Sequence, residues 1–336
     1  MKSLLYIGNK LSKHGFNKTT VETLETSFEE EGYKVYSVSD KKSFFFRILD
    51  MIFTLIKLSR KIDYVLIDTY STKAFWYAFF TSQLARMFAI KYIPILHGGN
   101  LPNRLQKNPF LSQLVFKNAY KNVAPSNYLK SEFEKESFTN VIYIPNTIEI
   151  EKYTLKVRKD FQPKLLWVRA FASIYNPEMA VQVLFELQKE YPNASLTMVG
   201  PDKDGSLFET QKKADDLGVK VTFTGQLSKE TWWQLASEHD VFINTTHFDN
   251  TPISVMEAMA LGLPVVSTNV GGLPYLLTDS KNALLVNDAN VEEMCVAIKK
   301  IILNTSETIL MTQHARELVE KMDWKVIKRQ WNSLLQ

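Results

Sequence analysis

Cysteine is all but missing. One residue, Cys295, stands in 336, which excludes a disulfide framework and suits a reducing compartment. Cys295 falls on a helical pattern with core-like neighbours and reads as a packing residue. No Cys/His metal cluster is apparent, and no bound metal or other cofactor is expected. Long hydrophobic runs are missing too. No stretch reaches the ~18 uncharged apolar residues of a spanning helix, and the run inside MKSLLYIGNK is too short for a signal peptide. A cytoplasmic location is expected. There is no basic run and no aromatic nucleic-acid motif, so nucleic acid is not expected as a partner. A GxGxxG fingerprint is also lacking, which leaves a dinucleotide site weakly supported.

What is present is an ordinary globular composition, 45% hydrophobic and 23% charged, with a net charge of +4. That mild basicity fits anionic substrates or an anionic membrane surface. The length suggests about two domains. Strand and helix patterns alternate. Ser3–Ile7 reads as a buried strand, followed by a polar loop from Gly8 to Gly15, a helix from Thr19 to Gly32 and a strand from Tyr33 to Ser37. Such a βαβ opening predicts a parallel sheet with helices on both faces. Further strands are expected at Tyr64–Asp68 and at Lys91–Leu96, the latter running directly into His97-Gly98-Gly99. A histidine beside two glycines at the carboxyl end of a strand is well placed to meet a ligand. The helix Thr72–Ala89 is rich in aromatics and reads as core. Ser43–Lys61 is mostly apolar with Arg47, Lys57, Arg60 and Lys61 around it. It fits either a helix lying on an anionic membrane surface or a core helix with basic ends. Ile148–Pro163 is charged, lacks a core pattern and reads as a linker.

The most informative stretch is Asn244–Gly272, NTTHFDNTPISVMEAMALGLPVVSTNVGG. It reads as the end of a strand, a loop, a helix, a second strand and a Gly-Gly turn. Thr251-Pro252 predicts the helix start, with the threonine as cap and the proline at the first helical position. The N–H groups of Ile253, Ser254 and Val255 then lack intrahelical acceptors and favour an anion. Glu257 is the only charge from Thr251 to Thr268, and a carboxylate on so apolar a helix needs a partner. Asp202 and Asp204 form a D-x-D, but proline and glycine flank it, so it reads as a turn between strand and helix.

The spacing from Asp249 to Glu257, followed by EAMA, G-x-PVV and GG-x-P, resembles the signature of retaining GT-B glycosyltransferases of the family-4 type, the glycosyl transferases group 1. The resemblance is strong from Lys164 to Leu303 and looser before that. It departs from the family pattern at Asp249, where glutamate is usual, at Thr147, where glycine is usual, and near Asn176, where a lysine is usual. It implies an α/β chain of two Rossmann-like doubly wound domains facing across a cleft. The expected division is residues 1–155 for the acceptor, 156–320 for the nucleotide sugar and a last helix, 321–336, packing back toward the first domain. It implies retaining, metal-independent transfer of a sugar, UDP-linked by default, to a glycan or lipid-linked acceptor. Arg169 would meet the diphosphate, Glu257 the ribose, and Asp249 and His97 the sugar. Gly15, Gly200, Asn250, Thr251, Pro252, Ile253, Ser254 and Val255 complete the donor contacts. Two alternatives stay open: an epimerase or hydrolase of the same fold, or a catalytically silent nucleotide-sugar-binding partner.

Overall fold

A computed structural model describes residues 1–14 and 19–336. The expected donor contact at Gly15 lies outside the described residues. Two compact units are formed, Met1–Pro145 with Lys328–Gln336, and Asn146–Ile327.

The first unit is a six-stranded parallel sheet. Its strands are β1 (Ser3–Ile7), β2 (Lys34–Val38), β3 (Tyr64–Thr69), β4 (Lys91–Leu96), β5 (Asn122–Ala124) and β6 (Val141–Tyr143), in the order β2-β1-β3-β4-β5-β6. Its helices are α1 (Thr20–Glu30), α2 (Phe44–Leu58), α3 (Phe75–Met87), α4 (Leu101–Lys107), α5 (Pro109–Phe116) and α6 (Asn127–Lys135). Helix α1 begins with a capping box, Thr19 and Glu22 each satisfying the other's backbone. The chain order reverses between β1 and β3, where ligands gather in open sheets of this kind.

The second unit repeats the plan. Its strands are β7 (Lys164–Val168), β8 (Ser195–Val199), β9 (Val221–Gly225), β10 (Val241–Asn244), β11 (Val265–Thr268) and β12 (Leu284–Val286), in the order β12-β11-β10-β7-β8-β9. Its helices are α7 (Pro177–Gln188), α8 (Ser206–Leu217), α9 (Lys229–Ala236), α10 (Ile253–Ala260), α11 (Leu273–Leu276), α12 (Val291–Leu303) and α13 (Thr305–Glu320). The last helix, α14 (Trp324–Leu334), is shared, with Lys328 onward counted in the first unit. The reversal falls between β7 and β10. Buried Leu165, Trp167, Met198 and Ile243 fill one face of this sheet, and Leu166, Phe242, Val255 and Met259 the other.

Residues 148–163 are not a free linker. Tyr153, Arg158 and Phe161 are buried, and Arg158 donates to the carbonyls of Ala236, His239 and Gly262 at 2.8, 3.0 and 2.8 Å. Burial pulls its guanidinium down to about 10. The charge that made this stretch look solvated is spent on carbonyls far away in sequence. Helix α2 buries Met51, Leu55 and Leu58 while Phe45, Phe46 and Phe53 face solvent. Arg47 is buried, its guanidinium donating to Asn9 Oδ1 and the carbonyls of Lys41 and Lys42. It is therefore not one of the helix's surface charges. Among the described residues no helix is long and apolar enough to cross a membrane.

Candidate functional site

In the second unit the polar groups converge at the reversal between β7 and β10. Strand β7 delivers Arg169, whose N–H donates to Val199 O at 3.0 Å. Gly200 permits that approach: a Cβ there would lie 1.7 Å from Arg169 O. Its observed role is thus to let two backbones meet. The Arg169 guanidinium lies over the Tyr175 ring, 4.4 Å from its centroid, and is paired with the Asp249 carboxylate. Burial lowers its pKa from the ordinary arginine value, and Tyr175 opposes that shift. The Asn176 backbone is left-handed, with φ of 45°, a conformation asparagine tolerates. Thr245 Oγ1 accepts from Trp167 Nε1 at 3.0 Å and lies 2.9 Å from the Tyr175 and Asn176 carbonyls, so it holds this turn against the loop after β10.

The loop is held on its other side by Gly271 and Gly272. A Cβ on either would press on the Asp249 or Asn250 carbonyl, at 2.3 and 2.1 Å. Gly272 N–H donates to Asp249 O at 2.8 Å, and Asp249 Oδ1 accepts from Asn250 N–H at 2.7 Å. The helix start differs from the expected one. Pro252 is extended, with ψ of 119°, and occupies the cap position, so α10 begins one residue later at Ile253. Thr251 Oγ1 caps nothing; it is buried without a partner, as are Ser254 Oγ and Arg169 Nε. Val255 N–H donates to Pro252 O at 3.2 Å. It is withdrawn from the expected anion contacts, which leaves the N–H groups of Ile253 and Ser254 without intrahelical acceptors.

One turn further along α10, Glu257 has found partners. Its Oε1 accepts from Tyr153 Oη at 2.9 Å and from Lys229 Nζ at 2.8 Å. Burial first, and then the charge of Glu257, raises the Tyr153 pKa far above the ordinary phenol value. Tyr153, Lys229 and Tyr175 were not foreseen. Tyr153 and Lys229 reach Glu257 from segments 104 and 28 residues away, and no local motif announces them.

The first unit carries a second cluster at its own reversal. Asp68, at the end of β3, is fully buried. Its Oδ1 accepts from Tyr6 Oη at 2.9 Å and stands 2.8 Å from His97 Nε2. Its Oδ2 is buried without a partner. A Cβ on Gly8 would sit 2.6 Å from that oxygen, so glycine there leaves it room. Tyr70 stacks on the His97 ring, centroids 5.2 Å apart. A carboxylate only accepts, so Nε2 donates and a neutral His97 presents Nδ1 as an acceptor. Asp68 was also missed, although an acid ending the apolar run YVLI is a signal of the kind that singled out Glu257. Asp202 and Asp204 are turn residues, accepting backbone N–H groups of Gly205 and Ser173 at 3.1 and 2.9 Å. Hydrogen bonds from Ser206 and Ser173 pull Asp204 down to about 2. Among the described residues no group of three or more His, Cys, Asp or Glu could hold a metal ion.

Residues 151–318, half of the chain, match the family described as glycosyl transferases group 1. The chain belongs to this family. Its match to the sulfoquinovosyl transferase of Arabidopsis thaliana is 31% identical over 152 residues, 44% of this chain and 29% of that protein. A match to an uncharacterized glycosyltransferase of Methanocaldococcus jannaschii is 24% identical over 89% of this chain and 84% of the other. An uncharacterized glycosyltransferase of Haemophilus influenzae is 26% identical over 60% of this chain and 57% of its own length. Two of these three matches therefore span less than two thirds of the relative. The fold of this group 1 member resembles the sucrose-phosphate synthase of Thermosynechococcus elongatus, with a TM-score of 0.82 at 16% identity over 99% of this chain and 98% of the other. It also resembles Anabaena HepE, solved with UDP and glucose, with a TM-score of 0.78 at 18% identity over 100% and 99% of the two chains. The architecture, two doubly wound parallel units, is of the GT-B kind.

Proposed function

We propose that the chain is a retaining glycosyltransferase of the family-4 type, moving a hexosyl group from a UDP-linked sugar to a glycan or lipid-linked acceptor without a bound metal. The observation that carries this reading is a set of buried, unpartnered donors in the second unit: Arg169 Nε at the end of β7, and Thr251 Oγ1 and Ser254 Oγ around the start of α10. Leaving such groups unpaired costs about 1–3 kcal/mol each, and a diphosphate with its many acceptor oxygens would satisfy all three. Departure of a nucleoside diphosphate builds negative charge on the leaving group. Arg169 and the N–H groups opening α10 supply the opposing charge, so transfer is expected to survive a chelator. Glu257 keeps Oε2 for the ribose hydroxyls while Tyr153 and Lys229 hold Oε1. Asp249 is assigned to the sugar, with Arg169 leaving it for the phosphates when donor arrives.

Uridine is the first base to try because the Anabaena neighbour is solved with UDP and with UDP-glucose. The test is a set of nucleotide sugars screened for thermal stabilisation, since a ligand that binds the native state raises its stability. The stabilising donor is then offered a panel of acceptors, and the anomeric configuration of the product is read by NMR. A product with inverted configuration overturns retention. Donor consumed without any acceptor identifies an epimerase or hydrolase. Binding without turnover identifies a silent partner, the reading that the absent lysine near Asn176 would favour.

A further inference from the structure

The face of the first unit that carries α2, α3 and α5 holds a concentration of exposed aromatic rings. Helix α2 packs beside α3, and α3 beside α5. Phe45 and Phe46 are 64% and 62% exposed and meet edge to face, and Phe53, at 64%, lies two turns along from Phe46. Trp76 stacks on Phe80 on α3, both exposed, and Phe110 stands out from α5 at 71%. Single exposed apolar residues need no explanation, but adjoining helices that all expose large rings do. The aromatic run of α3, expected to be core, is core only in part: Phe75, Tyr77 and Ala78 are buried while Trp76 and Phe80 are not.

Charge says what covers this face. Between residues 41 and 131 there are fourteen lysines and arginines, of which Arg47 is buried, and three aspartates, and from 69 to 131 there is no acid at all. The three aspartates are engaged elsewhere: Asp50 accepts from Ser39, Asp63 from the N–H of Ser3, and Asp68 is buried. Lys57 and Arg60 continue the α2 stripe of Phe46 and Phe53 at helical spacing, and Lys61 and Lys73 stand exposed at the ends of α2 and α3. A second copy of the chain would bring like charges together. Ile56 and Met87 extend the exposed surface with apolar side chains that a headgroup boundary accepts.

We propose that the α2–α3–α5 face docks on an anionic lipid bilayer, its rings entering the headgroup boundary and its lysines and arginines meeting lipid phosphates. This deepens the lipid-linked side of the proposed acceptor, and its test does not depend on transfer. The full chain is sedimented with vesicles of phosphatidylcholine alone and of phosphatidylcholine mixed with phosphatidylglycerol. Binding is expected to the mixed vesicles only and to weaken with salt. Trp76→Ser with Phe80→Ser is expected to lower partitioning tenfold or more, and each of Lys57→Glu and Arg60→Glu about fivefold. Far-UV circular dichroism and an unchanged melting temperature establish that the variants are folded; Phe53→Ser serves if the α3 pair is not. Equal partitioning of folded variants and wild type overturns the proposal. So does concentration-dependent dimerisation that the same variants abolish, or retention on RNA without retention on vesicles. Loss of vesicle binding with transfer to a soluble acceptor intact separates this inference from the transferase reading.

Discussion

Arg169 and Asp249 are ion-paired with each other across 80 residues of sequence. Under the proposed reading, the cation that would meet the diphosphate is therefore partly neutralised before any donor arrives, and no lysine follows near Asn176 to share the task. Tyr175 stacked beneath the guanidinium keeps it in place. Removing the two members of the pair should have opposite consequences. Asp249→Asn keeps the shape and releases the guanidinium, so UDP binding should hold or tighten while turnover falls. Arg169→Ala should weaken UDP binding and lower turnover about 10²–10³-fold, the scale for one lost charge stabiliser. Calorimetric titration with UDP beside steady-state kinetics checks both, and equal weakening of UDP by the two variants would sink the assignment.

Glu257 should matter for donor binding beyond its place in the core. Glu257→Gln is expected to cost roughly 1.5–3 kcal/mol of donor affinity, the range for a hydrogen bond to a charged group. Tyr153→Phe should lower stability by about 1–3 kcal/mol, because a buried carboxylate loses a donor, with a smaller effect on affinity. Lys229 is half exposed, and Lys229→Met should do little to stability. Donor affinity that is untouched in a folded Glu257→Gln variant would leave Glu257 a structural residue only. A large loss of UDP affinity in Lys229→Met would instead mark Lys229 as the cation that replaces the missing lysine.

How much could be read beforehand follows from where each partner lies in the chain. The stretch from Asp249 to Gly272 was legible because its strand, helix and glycines are local and each reports its own conformation. Arg169 and His97 were legible as residues ending strands. The start of α10 was misplaced by one residue, because Thr-Pro is equally compatible with an extended proline at the cap. Tyr153 and Arg158 were hidden in a charged segment whose partners lie from 78 to 104 residues away. Composition gave the aromatic content of α3 but not its direction: Phe75 faces the core and Trp76 faces water, one residue apart.

A buried histidine gives the stability of the second unit a pH dependence of known sign. His239 Nδ1 donates to Leu235 O at 2.8 Å, and its Nε2 stands 2.9 Å from Thr197 Oγ1, which donates to it. Burial lowers its pKa from the usual 6.5, partly offset by the bond to Leu235. The unfolded chain therefore binds a proton before the folded one does. The contribution is fully present above about pH 6.5 and is lost as pH falls through the lower folded value. His239→Gln should flatten the fall in urea midpoint between about pH 7.5 and about pH 5.5 relative to wild type. The same fall in both proteins would place its origin in other groups.

The pairing of Asp68 with His97 predicts which ring nitrogen carries the proton. Asp68 Oδ1 takes two donors, Tyr6 Oη and His97 Nε2, and Tyr70 holds the ring from one side. Neutral His97 then accepts at Nδ1, which suits it to a hydroxyl that donates. Asp68→Asn offers an amide that donates as well as accepts, so the hold on the tautomer is relaxed with little change of volume. The nitrogen-15 spectrum of His97 should report protonated Nε2 in wild type and a shifted or mixed tautomer in Asp68→Asn. Turnover should fall about tenfold, the scale of one lost hydrogen bond, with donor KM little changed. Tyr6→Phe removes the other donor to Asp68 without touching the histidine and should keep the wild-type tautomer and most of the turnover. Because Asp68 is buried, Asp68→Asn could unfold the first unit, and Tyr6→Phe with the wild-type spectrum is then the decisive comparison. A protonated Nδ1 in the wild-type protein would remove the acceptor role assigned to His97.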